Sequence, residues 1–184
     1  MNRAISTITI IFITAFLSGC FGIAPIKDVA GPEYSAAYGN ITLPENRVIT
    51  RVTLYKVGEV YAPPFKSPPQ SHTYNNGNFF FENLKPGKYY LASFMSGNEV
   101  FYFNYRGLEK EEFLNEVAID IKPGSVNYLG SYQVTGIERN FIKSDTFTIK
   151  RSKTPSETTI LKHLQQASKG TGWDQHFANA IKEN

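Results

Sequence analysis

The chain has one cysteine, Cys20, one tryptophan, Trp173, and three histidines among 184 residues. A single cysteine excludes an internal disulfide framework and a cysteine-rich zinc site. His72, His163 and His176 share no metal-ligand spacing, so solvent-facing or helix-surface positions are expected for them. There is no glycine-rich phosphate loop and no Gly-x-Ser-x-Gly turn. Glu111 and Glu112 are adjacent, and their side chains would diverge on a helix or a strand, which removes them as a general acid/base pair. No catalytic residue, metal site or cofactor is therefore expected. Charge of one sign is also scarce: 19 basic against 16 acidic residues give +3, and losing Arg3 with a leader leaves +2. The basic residues are scattered, so no nucleic-acid footprint is expected.

Aromatic residues, by contrast, are abundant, with 14 Phe and 11 Tyr. Flat rings pack well on a pleated, half-buried surface, so this composition favours strands. From residue 34 to 150 short strand signals alternate with turn signals. Val52 and Leu54 share one face of a segment at 48–57, with Arg51, Thr53 and Tyr55 on the other. Glu59-Val60-Tyr61 would continue or pair with that strand. Pro63, Pro64, Pro68 and Pro69 then mark a loop or edge crossing, because proline cannot donate to a ladder. His72-Thr73-Tyr74 leads through Asn75-Asn76-Gly77-Asn78 into Phe79-Phe80-Phe81, a hairpin signal. Two Lys-Pro-Gly turns, at Lys85-Pro86-Gly87 and Lys122-Pro123-Gly124, lie between apolar segments and predict two further hairpins. Strands are also expected at 100–105 and 145–149. The fold class that follows is mainly β: an antiparallel β-sandwich of about seven strands, with a short helical tail.

Residues 1–19 have the build of an export leader: Arg3, an apolar run interrupted by Ser6, Thr7, Thr9 and Thr14, then small residues. That run is too short to span a bilayer comfortably. Leu17-Ser18-Gly19-Cys20 resembles the lipobox of bacterial lipoproteins. The resemblance implies that the Cys20 thiol is alkylated by a diacylglyceryl group and that cleavage follows Gly19. Two or more acyl chains then make a stable membrane anchor. Phe21 stands where an Asp would retain an enterobacterial lipoprotein in the inner membrane, which is similar to the outer-membrane class. Residues 20–33 read as the lipidated cysteine and a tether containing Gly22, Pro25, Gly31 and Pro32.

Residues 77–91 resemble the carboxypeptidase-regulatory-like and collagen-adhesin B-type domains, through Gly77, the aromatic strand Phe79-Phe80-Phe81, Leu84-Lys85-Pro86-Gly87 and Tyr89-Tyr90-Leu91. That resemblance implies a prealbumin-like, Ig-like sandwich and no shared activity. Adhesin domains can form a Lys–Asn bond, and Lys56 is loosely placed like the family lysine. No matching Glu or Asn is evident, so a solvated head is expected for Lys56. Tyr105-Arg106-Gly107 is similar to the terminal motif of a purine-pathway hydrolase of transthyretin-like fold. Here it stands mid-chain, without the accompanying His/Arg set.

In residues 154–184 helical periodicity replaces strand alternation. Thr154 is expected as N-cap, Pro155 as first residue and Glu157 as third. Ile160, Leu161, Leu164 and Ala167 share one face. After Gly170, Thr171 would cap a second helix bearing Trp173, Phe177 and Ile181. These helices pack on the sandwich or on a partner. Tyr89, Tyr90, Phe101, Tyr102, Phe103 and Tyr105 supply core and cross-strand pairs and offer a platform for sugar rings. Tyr102, Tyr105 and Trp173 are the candidate binding surface. Expected partners are membrane lipid through acylated Cys20, an envelope protein, and a glycan as the alternative. The functional expectation is an outer-membrane lipoprotein serving as a non-catalytic interaction or structural module, an accessory subunit of a larger assembly.

Overall fold

The computed structural model describes residues 25–63, 65–105, 107–138 and 146–184. Nine strands lie among them: β1 (Ser35–Thr42), β2 (Arg51–Lys56), β3 (His72–Thr73), β4 (Asn78–Leu84), β5 (Gly87–Ser96), β6 (Glu99–Tyr102), β7 (Ile119–Ile121), β8 (Val126–Glu138) and β9 (Thr146–Ser152). Sheet A has the order β3-β4-β1-β8-β9; in sheet B, β5 lies between β2 and β6, with β7 also on β5. A helical turn, α1 (Lys110–Glu112), runs into a π-helical segment at Phe113–Val117, and α2 (Glu157–Ala167) and α3 (Gly172–Glu183) close the chain. The protein is thus mainly β, with two more strands than expected and a helical segment inside the strand region.

One apolar core lies between the sheets, formed by Ala37, Ile41, Phe79 and Phe81 from sheet A and Val52, Leu54, Leu91, Phe94 and Phe101 from sheet B. A second covers the opposite face of sheet A, where Ala36, Tyr38 and Phe80 meet Ile160, Leu161, Leu164, Trp173 and Phe177. Successive strand residues point to opposite faces, so Phe79-Phe80-Phe81 serves both cores and all three rings are fully buried. The helical tail therefore makes a third layer.

Pairing is antiparallel except between β1 and β8, which run parallel. Parallel strands occur where both faces are covered, and β1 is buried at every position from Ser35 to Ile41. Gly39 lies opposite Gly130; a Cβ on Gly39 would come within 2.6 Å of the Gly130 carbonyl oxygen. Buried Asn40 is satisfied, its amide donating to Asn76 O at 3.0 Å and Asn78 Oδ1 at 2.8 Å.

The Asn75–Asn78 hairpin forms as expected: His72 pairs with Phe80 and Thr73 with Phe79. The two Lys-Pro-Gly turns are a correction. β4 and β7 belong to different sheets from the strands that follow them, so both turns are crossovers between layers rather than hairpins. Gly87, at φ 143°, takes a conformation that favours glycine and lets the chain turn the corner. A Cβ there would sit 2.5 Å from Lys56 Cε. Residues 59–61 form no strand. Helix α2 is capped two residues later than expected, by Ser156, whose Oγ accepts from the Thr159 N–H at 3.3 Å, so Glu157 is its first residue and Pro155 lies before it.

Residues 25–33 are not a free tether. Ile26 and Val29 pack into the helical core, the Lys27 N–H donates to Glu82 Oε2 at 2.8 Å and the Ala30 N–H to Asn83 Oδ1 at 2.8 Å. The segment is a strap joining the end of β4 to the start of α3. Asp28 Oδ1 accepts from Gly172 N at 2.6 Å and Val29 N at 2.8 Å. These bonds, Gly172's first, hold the Asp28 carboxyl below its usual range. They favour the ionised form, so the contribution of Asp28 is present above the unfolded carboxylate pKa of about 3.9 and is lost as pH falls through the folded value. Acidification below about pH 4 should loosen the strap, read as lower amide protection at Val29 and Gly172 relative to the intrinsic exchange rate at the same pH. Asp28→Asn should show the lower protection already at neutral pH; unchanged protection would remove the carboxylate from the account.

Candidate functional site

Cys20, with Leu17, Ser18 and Gly19, lies outside the described residues. Tyr102 stands on the outward face of β6 and is 63% exposed, with Val100, 38% exposed, two residues before it on the same face. β6 ends its sheet among the described residues, so these side chains crown a short edge strand. Beside them Arg47 pairs with Glu99 and its guanidinium lies over the Phe101 ring at 5.7 Å.

Tyr105 is half-buried. Its hydroxyl donates to Leu91 O at 2.8 Å, and its ring meets Phe103, Phe113 and Tyr90 at 6.1, 5.6 and 5.9 Å. Burial pushes the phenol's pKa up. Trp173 is fully buried in the helical core, beyond sheet A. Its indole N–H donates to Lys27 O at 3.1 Å. The three candidate surface residues therefore do not share a surface, and Trp173 holds the tail and strap together instead of facing a partner.

The aromatic platform divides in the same way. Tyr89 and Phe101 enter the inter-sheet core, while Tyr90 points outward beside Tyr55 and Tyr61. Tyr55 meets Tyr61 at 4.9 Å and Tyr90 at 5.9 Å with a 76° angle between rings; Tyr90 meets Tyr105 at 83°. Rings set edge to face support one another, while Phe103 and Tyr105 lie nearly parallel, 6° apart in plane. The alternation in 51–56 already puts Tyr55 on this outer face; Tyr61, expected to continue or pair with that strand, instead comes from the loop that follows it.

A cleft of about 490 Å³ opens between that loop and the β4–β5 crossover, lined by Lys56, Glu59, Lys66, Glu82, Lys85 and Tyr89 among others. Lys66 Nζ lies 3.0 Å from Glu59 Oε2, and this bond lowers the Glu59 carboxyl's pKa. Lys56 Nζ donates to Pro86 O at 2.9 Å and lies 5.7 Å over the Tyr89 ring. Its head is held rather than freely solvated. Burial pushes the Tyr89 phenol up to about 12. Asn83 is committed to the strap, so it offers Lys56 no partner for a Lys–Asn bond. Beyond the cleft the loop exposes Phe65 and Val60, 94% and 81% accessible.

The histidines are dispersed. His72 is buried on β3, a correction to its expected exposure, with Nε2 3.2 Å from Glu82 Oε2 and its ring stacked on Phe80 at 5.0 Å. Strand pairing with β4 turns it inward. His163 packs edge-on to Tyr74 at 4.7 Å and burial lowers its pKa; His176 lies against Trp173. No group of three or more His, Cys, Asp or Glu among the described residues is placed to hold a metal. The site's chemistry is that of an exposed apolar edge and a mixed-charge cleft. Comparison with protein-family models, curated proteins and solved structures gave no match for this chain.

Proposed function

We propose that the chain is a bacterial envelope lipoprotein, held at the outer membrane by acyl chains on Cys20, whose two-sheet body is a non-catalytic interaction module in a larger assembly. The anchor rests on Leu17-Ser18-Gly19-Cys20 following a leader-like segment. We assign the body to the prealbumin-like sandwiches on the aromatic strand and Leu-Lys-Pro-Gly turn at 79–87. The observation that carries the interaction role is the pair Val100 and Tyr102, side by side and exposed on edge strand β6. An exposed tyrosine beside an aliphatic residue is the composition of an interface anchor, and the partner it fits is an envelope protein.

Two measurements test this reading. Cys20→Ala should move the protein out of the membrane fraction; retention there would remove the anchor. A photo-crosslinking residue at exposed position 100 should trap one specific protein in intact cells, and the same residue at exposed Lys150 should not. Tyr102→Ser should weaken that capture by about 2 kcal/mol, roughly thirtyfold, with stability changed by less than about 0.5 kcal/mol. Equal trapping at both positions would refute the interface.

A further inference from the structure

One end of the two-sheet body gathers segments far apart in sequence. β1 starts there with Ser35 opposite Leu84, and β8 starts beside it with Val126 against Ala36. β5 starts there too, with Gly87 opposite Ile121. The two Lys-Pro-Gly crossovers are therefore neighbours, tied by Ser35 Oγ donating to Lys122 O at 2.6 Å. Lys56, which ends β2, lies opposite Tyr89, so the proline-rich loop leaves the sheets at the same end. The strap reaches it through Glu82 and Asn83.

Three properties of this end coincide. First, it is where the described chain leads back toward Cys20. Five residue steps separate Cys20 from Pro25, a reach of at most about 18 Å when fully extended. Second, Lys27, Lys85, Lys122 and Lys169 are exposed around it and form no salt bridge among the described residues. Of the acids there, Asp28 is bonded to backbone N–H groups, Glu59 to Lys66 and Glu82 to His72; Glu33 and Asp120 are exposed. Third, it carries Phe65 and Val60, the most exposed large hydrophobic side chains among the described residues. Both lie on a loop closed on itself by the Phe65 and Lys66 N–H groups donating to Ala62 O at 3.0 and 3.1 Å.

We propose that this end is a second membrane contact: Phe65 and Val60 enter the headgroup–acyl boundary, and the surrounding lysines engage anionic phospholipid headgroups. Apolar side chains ringed by lysine are the pattern of an interfacial anchor, and juxtamembrane lysines are drawn to anionic lipid. The strap makes the contact effective, because a docked segment holds the body in one attitude where a free tether would let it swing. The proposal rests on the lipid anchor proposed above, and it sets the body upright, with the β5–β6 turn farthest from the bilayer.

The test uses the mature lipidated protein. Cys20 is the chain's only cysteine, so once acylated it leaves an introduced cysteine as the single labelling site. A fluorophore is placed at Pro123→Cys or at Asn98→Cys, both exposed, in phosphatidylethanolamine vesicles containing phosphatidylglycerol and a headgroup spin label. Strong quenching at 123 with little at 98 is expected. That difference should be lost when Phe65 and Val60 are both changed to serine, with Trp173 emission unchanged as the check on folding. Equal quenching at the two positions, or a difference that survives the double change, would overturn the contact and leave the anchor standing. The mass of the N-terminal peptide reads the anchor separately: a bare Cys20 would remove the anchor and the contact with it.

Discussion

Replacing Trp173 with alanine is expected to cost about 3–5 kcal/mol and to release the helical layer while the two-sheet core survives. The ring is fully buried against Phe177, Leu161 and Leu164, so truncation leaves a cavity larger than its neighbours can fill. It also leaves the Lys27 carbonyl without the indole donor that now reaches it. The strap and α3 should loosen together, since Asp28 bonds to the start of that helix. Amide exchange by segment is the measurement. Protection should fall at residues 25–33 and 157–183 and persist in β4 and β5, as expected for a locally cooperative unit. Uniform loss throughout the chain would show that the third layer is not separable from the other two.

Phe94→Ala is expected to cost a similar amount, about 3–5 kcal/mol, but to lower the stability of the whole body. Phe94 is fully buried between the sheets, stacked on Phe101 at 5.0 Å and edge-on to Phe147 at 5.0 Å and Phe103 at 6.0 Å. These rings come from β5, β6, β9 and the segment after β6, so the cavity opens where both sheets meet. Urea unfolding followed by far-ultraviolet circular dichroism of the strands should show a lower midpoint. For a body of this size each kcal/mol corresponds to roughly 2–4 °C in Tm, giving a fall of about 10 °C. Phe94→Leu, which keeps most of the volume, should cost less than half as much. A loss confined to β9 would place the ring at the rim rather than the centre of the core.

Much of this architecture is legible in the sequence alone. The 79–81 aromatic run, the Asn-Gly hairpin and the period of the tail are local signals, and each produced the expected element. What local signals could not give was sheet membership. A Lys-Pro-Gly turn fixes a corner in the backbone, but whether the next strand pairs beside the last or crosses to the other layer depends on long-range partners. For Gly87 that partner is Ile121. The parallel pairing of β1 with β8 is invisible for the same reason. Trp173 was read as either tail anchor or partner contact because helical periodicity identifies an apolar stripe without saying what covers it. Tyr102 and Val100 were separable from Phe101 by alternation alone. His72 looked like a loop residue since the prolines before it obscured a two-residue strand. Phe65 carried no signal: one exposed ring in a proline-rich loop has no period.

The bond from Asp28 to Gly172 spans 144 positions. At a synthesis rate of about 5–20 residues per second, the two partners emerge roughly 7–30 s apart. Throughout that interval the amino-terminal segment can reach Glu82 and Asn83 but not the start of α3, which does not yet exist. Full closure of the strap therefore waits on the last helix, and the two ends of the described chain are locked in a single late step.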